Sequence, residues 1–242
     1  MSESDINDLF GVYCVCYNSP ERAKTMTDRF ANFGIPLNIH GGVQMDDPRL
    51  QFTDEIAYRR VGSVFYGHLD NIAKFYESGK PYGFFCEDDV HIHKSFRSEL
   101  PTIMREFDAM GLDILLLGYM TTVKIEWWHH GFPLVYDGGP SVPYRYHRYP
   151  QDQWGVHLFM ISRSYAKTLL ERYTADYAAR AFLDKTMEPF NPDWSISKFT
   201  SHRALRFPML AVEDGKGHYD HWGQGEYHRA SHAANYIEGQ FY

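Results

Sequence analysis

One stretch of the sequence decides how the chain folds: Gly83-Phe84-Phe85-Cys86-Glu87-Asp88-Asp89-Val90. Its apolar half has the composition of a short buried strand. Three carboxylates follow at once, and adjacent carboxylates repel one another unless a positive charge lies between them. Ligands of α/β proteins bind beyond the carboxyl ends of the strands. The stretch therefore indicates either a divalent metal site made by Glu87, Asp88 and Asp89 or an acidic surface turn between a strand and a helix.

The N-terminal part of the chain alternates between strand and helix patterns. Residues 11–17 are rich in β-branched and aromatic types, which favour a strand. Ser19 and Pro20 suit a helix cap and a first helical position, so we predict a helix over 21–33 and a second strand over 35–40. This β-α-β order is common among nucleotide-binding α/β domains.

The same alternation continues on both sides of the acidic stretch. Apolar residues recur at helical spacing from Ala57 to Gly79 and again over 95–110. A buried strand over 113–119 follows, and we expect it to run parallel to the strand over 84–86. The later elements predicted from the sequence are a strand over 154–161, a helix over 164–173, a short helix over 194–199 that Asp193 caps, and a strand within 204–212.

Residues 121–153 show no clear periodicity, which is typical of a functional loop or flap. The C-terminal residues 216–242 form a polar tail that contains several histidines. We find no internal repeat and no domain linker, and 242 residues fit one large domain or two small ones.

Composition narrows the choice of partners and compartment. The net charge of −7 argues against broad binding to nucleic acid or anionic membranes, which requires a basic surface. Three cysteines without framework spacing indicate reduced thiols. The N-terminus lacks the pattern of a signal peptide, and no apolar run approaches the ~20 residues of a membrane helix. We therefore expect a cytoplasmic protein without an integral membrane segment.

The order of the motifs resembles the glycosyltransferases of the lipooligosaccharide type (family 25) and the related small transferases of large DNA viruses. Three segments carry the resemblance: Val61-Gly62-Ser63-Val64-Phe65-Tyr66-Gly67-His68-Leu69, the acidic stretch, and Trp154-Gly155-Val156-His157-Leu158-Phe159-Met160-Ile161-Ser162 with the helix behind it. The likeness spans roughly 11–212. The chain departs from the family at Tyr66-Gly67-His68, where the family tends to have Ser-His.

The resemblance implies a single GT-A domain over 1–242, which is a Rossmann-like α/β fold with a mixed, mostly parallel sheet between helices. Its nucleotide-binding half would cover about 10–120, its acceptor-binding half about 121–215, and its tail 216–242. The implied enzyme is a hexosyl- or deoxyhexosyltransferase of glycan biosynthesis, expected to invert. It would move a sugar from a UDP, GDP or dTDP donor to a carbohydrate or other hydroxyl acceptor, and a viral protein of this kind would act in the host cytoplasm.

Transfer from a nucleotide sugar leaves negative charge on a diphosphate, which Mn²⁺ or Mg²⁺ neutralises. The resemblance assigns metal contact to Asp89, and contact with the metal or the ribose to Glu87 or Asp88. A histidine of the tail would be a further ligand, and we favour His218 over His221 because it follows the last strand more closely.

Further subsites follow from the positions of residues along the chain, and for Asp193 from the order of the family's motifs. The base and ribose would lie over the end of the first strand, and the residues expected there are Tyr17, Asn18 and Arg22, with Arg60 or Arg59 adding positive charge. Arg22 has the alternative of pairing with a neighbouring acid. Asp193 is the expected general base, with Asp152 as its rival. The expected acceptor contacts are Trp127, Trp128 and Tyr144, which alternatively fasten the loop to the core.

Two other functions fit the same residues. The carboxylates also suit a metal-dependent nucleotidyltransferase or phosphohydrolase, which would release pyrophosphate or phosphate. A non-catalytic carbohydrate-binding protein would bind sugar without regard to metal or nucleotide.

Overall fold

A computed structural model describes residues 3–125, 131–137, 142–216 and 222–242. Its strands are β1 (Phe10–Val15), β2 (Leu37–His40), β3 (Tyr82–Glu87), β4 (Val90–Ile92), β5 (Ile114–Met120), β6 (Leu134–Asp137), β7 (Arg145–His147), β8 (Trp154–Ser162), β9 (Arg203–Phe207) and β10 (Ala211–Glu213). Its α-helices are α1 (Glu3–Leu9), α2 (Pro20–Ala31), α3 (Ile56–Ser78), α4 (Phe96–Ala109), α5 (Arg163–Arg172), α6 (Tyr177–Leu183), α7 (Pro192–Ser195) and α8 (Trp222–Asn235).

The strands of the main sheet lie in the order β2-β1-β3-β8-β5-β9-β7-β6. Strands β8 and β7 run against the common direction of the others. The sheet is therefore mixed with most strands pointing one way, and helices flank it. This arrangement confirms the predicted α/β class.

Strand β8 lies between the two strands that the sequence places in one βαβ unit. It pairs antiparallel with both β3 and β5, so that Phe159 faces Phe85 on one side and Leu116 on the other. The directions of β3 and β5 agree with the prediction, but the two strands are not neighbours. Seven consecutive residues of β8 are buried, which suits a strand at the centre of a covered sheet.

The helix boundaries follow the predicted signals. Ser19 accepts a hydrogen bond from the N–H of Arg22 at 3.3 Å and caps α2. Helix α3 ends at Gly79, whose φ of 75° is the left-handed conformation that favours glycine after a helix. These two ends lie within two residues of the predicted ones.

Side chains that alternate along β3 separate the core into two layers. Phe85 packs in one layer with Phe65 and Ile72 of α3. Phe84 points the other way, into the layer that contains Phe30 of α2 and Phe96 of α4. Because successive side chains of a strand point to opposite faces, Glu87 leaves the sheet on the face of Phe85, where α3 lies.

The predicted late strand is two strands in two sheets. Strand β9 extends the main sheet, whereas β10 crosses over β5 and pairs antiparallel with β4. Gly118 permits this crossing, because a Cβ at that position would lie 2.8 Å from both the Cβ and the carbonyl oxygen of Ala211. The N–H of Leu210 donates to the carbonyl of Leu117 at 2.6 Å and fastens the crossing. Glu213 is thereby set opposite Val90.

Two predictions of secondary structure were wrong in detail, and one helix was not predicted. Part of the segment 121–153 is ordered, because β6 and β7 pair with each other and with β9 at the sheet edge. Most of the described tail is a helix, α8, for which we predicted no secondary structure. Helix α7 begins at Pro192 with Asn191 as its cap, so Asp193 lies in the first turn and does not cap it. Within the described part of the chain, every helix is too short or too polar to cross a bilayer.

We expect Gly118→Ala to lower the free energy of unfolding by about 1–3 kcal/mol, as overpacking of a tight contact does. The added methyl would collide with the Ala211 backbone and push β10 away from β5. Thermal unfolding would show this as a melting temperature lower by about 2–4 °C per kcal/mol.

Gly41→Ala is the matched control, because its Cβ would meet no atom within 4 Å. Equal melting temperatures for the two variants would contradict the role assigned to the crossing at Gly118.

Candidate active site

An open cavity of about 520 Å³ lies where the carboxyl end of β3 meets the start of β8. Residues of α3, α7, α8 and β10 complete its walls. Four carboxylates line it, and they belong to Glu87, Asp89, Asp193 and Glu213. Arg22 and Arg60 contribute positive charge to the same walls. The cavity therefore brings together five of the residues predicted from the sequence and adds Glu213.

The pairing of β4 with β10 places three of these acids next to one another. Strand β3 ends at Glu87, and Asp88 and Asp89 form the turn into β4. Glu213 ends β10 opposite Val90, and the N–H of Asp214 donates to the carbonyl of Asp89 at 2.8 Å. Two strand ends from distant parts of the sequence thus deliver carboxylates to one corner.

The electrostatics of this acidic corner favour a bound cation. Burial, reinforced by the charges of Asp193 and Glu213, raises the pKa of Glu87 to about 8. Burial and the neighbouring Glu87 and Glu213 hold the pKa of Asp89 well above its ordinary value. The buried Oδ1 of Asp89 accepts no hydrogen bond from the described residues. A positive charge among these oxygens would reduce their repulsion and would give the buried Oδ1 of Asp89 an electrostatic partner.

Asp88 differs from its two neighbours. Its Oδ1 accepts a hydrogen bond from Arg22 Nη1 at 2.9 Å in an ion pair that joins the acidic turn to α2. Asp88 does not line the cavity, whereas Arg22 does. Arg22 therefore pairs with an acid, as the alternative prediction had it, but this acid lies 66 residues away in the sequence and is not a neighbour on α2.

Two buried histidines stand against the acids without neutralising them. Burial lowers the pKa of His68 and of His157 to about 4, so both are neutral at pH 7. The Nε2 atom of His68 lies 3.8 Å from Glu87 Oε1, and that of His157 lies 3.7 Å from Glu213 Oε2. Helix α8 adds His228, whose Nδ1 lies 2.5 Å from Glu213 Oε2. The two histidines with a lowered pKa therefore contribute no positive charge to the acidic corner at pH 7.

Asp193 stands in a different environment on the wall made by α7 and β8. Its Oδ1 accepts a hydrogen bond from the N–H of Gly155 at 2.6 Å. Gly155 has a φ of 88°, and a Cβ there would lie 2.8 Å from the backbone nitrogen of Met120, so the position requires glycine. Burial raises the pKa of Asp193, and the nearby charge of Lys198 opposes that rise. A carboxylate whose pKa is raised by burial is a stronger proton acceptor.

Lys198 is held between two indole rings beside Asp193. Its Nζ lies 4.5 Å from the ring centroid of Trp154 and 4.2 Å from that of Trp194, in the geometry of cation–π contacts. The Nζ atom is buried and has no hydrogen-bond partner among the described residues. Burial lowers its pKa to about 8, while the charge of Asp193 opposes that change. The ammonium is therefore largely charged at pH 7.

Several predicted site residues lie elsewhere or have other contacts. Tyr17 and Asn18 follow β1 but do not line the cavity, and Asn18 exchanges two amide hydrogen bonds with Gln44. Asp152 is exposed and also lies outside the cavity lining. Tyr144 offers no face to an acceptor, because it is buried, its hydroxyl donates to Glu106, and Arg206 covers its ring. These contacts agree with the alternative prediction for Tyr144, that it fastens the loop to the core.

The remaining predictions concern residues outside the described part of the chain. These are Trp127 and Trp128 of the proposed acceptor contacts and His218 and His221 of the proposed metal ligands. The described histidine that the tail brings to the cavity is His228.

Sequence reasoning missed several residues of the cavity region, among them Glu213, His228, Trp154 and Lys198. One of them carried a usable signal. The run Ala211-Val212-Glu213-Asp214 repeats the pattern of an apolar strand that runs into acids, as in the acidic stretch. The pairing of the two runs depends on the crossing at Gly118, which no local pattern indicates.

Oxygen donors dominate the acidic corner, and such donors suit Mg²⁺ and Mn²⁺. Among residues 3–125, 131–137, 142–216 and 222–242, no group of three or more histidine, cysteine or acidic side chains is arranged to hold an ion by itself. Magnesium is usually bound by one or two carboxylates together with substrate phosphates. The corner fits an ion that binds together with a phosphate-bearing ligand.

No protein-family model matches the chain, and no curated protein matches it. Among solved structures, it is similar to a glycosyltransferase involved in the glycosylation of the major capsid of PBCV-1. That match covers 91% of this chain and 98% of the other, with 9% sequence identity and a TM-score of 0.42. A likeness this loose establishes neither a shared fold nor a shared activity.

We expect Glu87→Gln to stabilise the metal-free protein. Because the pKa of Glu87 is raised from 4.5 to about 8, the folded chain keeps a proton that the unfolded chain has released between these pH values. Stability therefore falls as the pH rises through this window, and the amide removes that loss. At pH 7.5 with EDTA, relief of about 1 kcal/mol would raise the melting temperature by about 2–4 °C.

Glu77→Gln is the control, because Glu77 is exposed near the C-terminal end of α3, away from the cavity. A lower melting temperature for Glu87→Gln at pH 7.5 would show that the charged carboxylate stabilises the empty protein, contrary to this account.

Proposed function

We propose that the chain is a metal-dependent glycosyltransferase that moves a sugar from a nucleotide-sugar donor to a hydroxyl acceptor, with Asp193 as general base. The observation that carries the proposal is the division of the cavity between two kinds of carboxylate. Glu87, Asp89 and Glu213 form a crowded corner. Asp193 comes from α7, and although its charge also acts on Glu87, it differs from the corner acids because Gly155 donates a hydrogen bond to it and the charge of Lys198 acts on it. One group suits a cation with a diphosphate, and the other suits proton removal.

The donor diphosphate would lie at the acidic corner, with Glu87 and Asp89 holding the ion. When bound there, Mn²⁺ or Mg²⁺ would stabilise the negative charge that develops on the leaving diphosphate. Arg22 and Arg60 supply further positive charge to the cavity walls. Asp88 keeps Arg22 in place through the 2.9 Å ion pair, which gives Asp88 an indirect part in binding.

Asp193 would take the proton of the acceptor hydroxyl. The acceptor oxygen then forms a bond to the anomeric carbon, and the bond from that carbon to the diphosphate breaks with its electron pair left on the diphosphate. The N–H of Gly155 orients the carboxylate through Oδ1, which leaves Oδ2 for the acceptor. Attack from the side opposite the leaving group inverts the anomeric centre.

The decisive test is a panel of UDP-, GDP- and dTDP-sugars incubated with the protein and Mn²⁺. We expect one donor class to release its nucleoside diphosphate, and EDTA to stop the release. Asp89→Asn should lower the rate by at least about 10²-fold, comparable to removal of one group that stabilises charge in a transition state. Asp46→Asn, an exposed acid outside the cavity, should keep the wild-type rate.

Release of pyrophosphate or inorganic phosphate would replace this proposal by a nucleotidyltransferase or phosphohydrolase. A second measurement needs no turnover: Mn²⁺ and the nucleoside diphosphate together should raise the melting temperature more than either alone. No shift with any nucleotide would contradict the proposed donor site.

The proposal also predicts the pH dependence of transfer. The charge of Lys198 lowers the pKa of Asp193, so Lys198→Met should raise that pKa and move the acidic limb of the kcat/KM profile to higher pH. A displacement of up to about one pH unit corresponds to an interaction of ~1.4 kcal/mol. Lys198→Arg should restore the profile because it restores the charge, and Lys167→Met, at an exposed position of α5, should leave it unchanged. An acidic limb that does not move in Lys198→Met would argue against Asp193 as the base.

A further inference from the structure

Trp154 presents an indole ring at the wall that carries Asp193. The residue lines the cavity and is 39% exposed, although it begins a strand whose next seven residues are buried. Exposed tryptophan at a cavity wall offers a flat apolar face with a polar tip. Such a face matches the apolar side of a pyranose ring.

The ring of Trp154 is held in place from two directions. Lys198 Nζ lies 4.5 Å from its centroid, and the ring of Trp194 meets it edge to face with centroids 6.4 Å apart. Lys198 also contacts Trp194, so the three side chains support one another. A ring fixed in this way loses little conformational freedom when a ligand stacks on it.

The backbone ties this ring to the general base. Gly155, the next residue after Trp154, donates its N–H to Asp193, and Trp194 directly follows Asp193 in the chain. The indole pair and the carboxylate are therefore one unit. A sugar stacked on Trp154 would have its hydroxyls beside the group that removes a proton.

Asn191 provides a second, independent sign of a ligand on this wall. It lines the cavity, and its buried Oδ1 has no hydrogen-bond partner among the described residues. As the cap residue of α7 it makes no side-chain capping bond, so the helix does not account for its side chain. Gln224 of α8 lines the same cavity and offers another amide. An amide without a partner beside an aromatic ring suits a polyhydroxylated ligand.

We infer that Trp154, Asn191 and Gln224 form the acceptor subsite, and that the acceptor is a pyranoside whose apolar face stacks on Trp154. This inference rests on the proposed function, since it assigns the acceptor of that same cavity. Among the described residues, it replaces Tyr144, the acceptor contact predicted from the sequence, which is buried.

The test compares KM values for the donor found in the panel and for a methyl pyranoside acceptor. Trp154→Ala should raise the acceptor KM about tenfold or more, as truncation of an aromatic anchor does, and more than the donor KM. Trp154→Phe should recover most of the loss, and Asn191→Ala should raise the acceptor KM about two- to tenfold. Tyr58→Ala removes an equally exposed ring outside the cavity and should change neither value. An acceptor KM unchanged by Trp154→Ala, or raised no more than the donor KM, would overturn the inference.

A direct binding measurement separates this inference from the proposed function. Saturation-transfer NMR with methyl glycosides of glucose, galactose, mannose, xylose and fucose needs neither metal nor turnover. Binding that Trp154→Ala abolishes would support the subsite even if no nucleotide sugar is consumed. Failure of the wild-type protein to bind any of the five, with or without nucleoside diphosphate and Mn²⁺, would overturn it.

Discussion

The mutual repulsion of carboxylates in a half-buried corner is the constraint on which the site depends. Glu87 and Asp89 arrive at the end of β3, and the pairing of β10 with β4 adds Glu213. Burial raises the pKa of both Glu87 and Asp89, so the corner disfavours negative charge unless a cation compensates for it. A fold keeps such an arrangement when a ligand compensates for it, because stability is commonly sacrificed at functional sites. The large aromatic core on both faces of the sheet offsets the loss.

The two kinds of carboxylate illustrate how one cavity can hold an ion and a base. The corner acids share a field that His68 and His157 do not relieve, since both are neutral at pH 7. Asp193 is acted on by the charge of Lys198 and accepts a hydrogen bond from the backbone N–H of Gly155. Environments that differ in this way assign different roles to chemically identical groups. The cation–π contacts of Lys198 let its charge act on Asp193 without a direct hydrogen bond.

Local patterns in the sequence were sufficient to predict the elements that bring Glu87 and Asp89 to the site. Apolar runs, the cap at Ser19 and the glycine at Gly79 placed β1, α2, α3 and β3 within about two residues, because these signals act over one turn or one strand. The acidic stretch could be interpreted as a strand end with a candidate metal site for the same reason, because its residues are adjacent in the sequence. Long-range contacts were not accessible: the insertion of β8 between β3 and β5 and the crossing of β10 over β5 depend on which apolar surfaces meet. Glu213, His228 and Lys198 enter the cavity region only through those contacts.

The walls of the cavity come from different parts of the fold, and this separation bears on specificity. The acidic corner is built by strand ends fixed within two sheets, β3 in one and β4 and β10 in the other. The wall of Trp154 and Asp193 is built by the first residues of β8 and the single turn of α7. A change in the second wall alters the shape offered to an acceptor without disturbing the pairing that brings the corner acids together. Asp193 must nevertheless keep its position. The backbone N–H of Gly155 helps to hold it there through one hydrogen bond. In the proposed function, a site organised in this way could change its acceptor while the acids proposed to hold the ion and the proposed base, Asp193, stay in place.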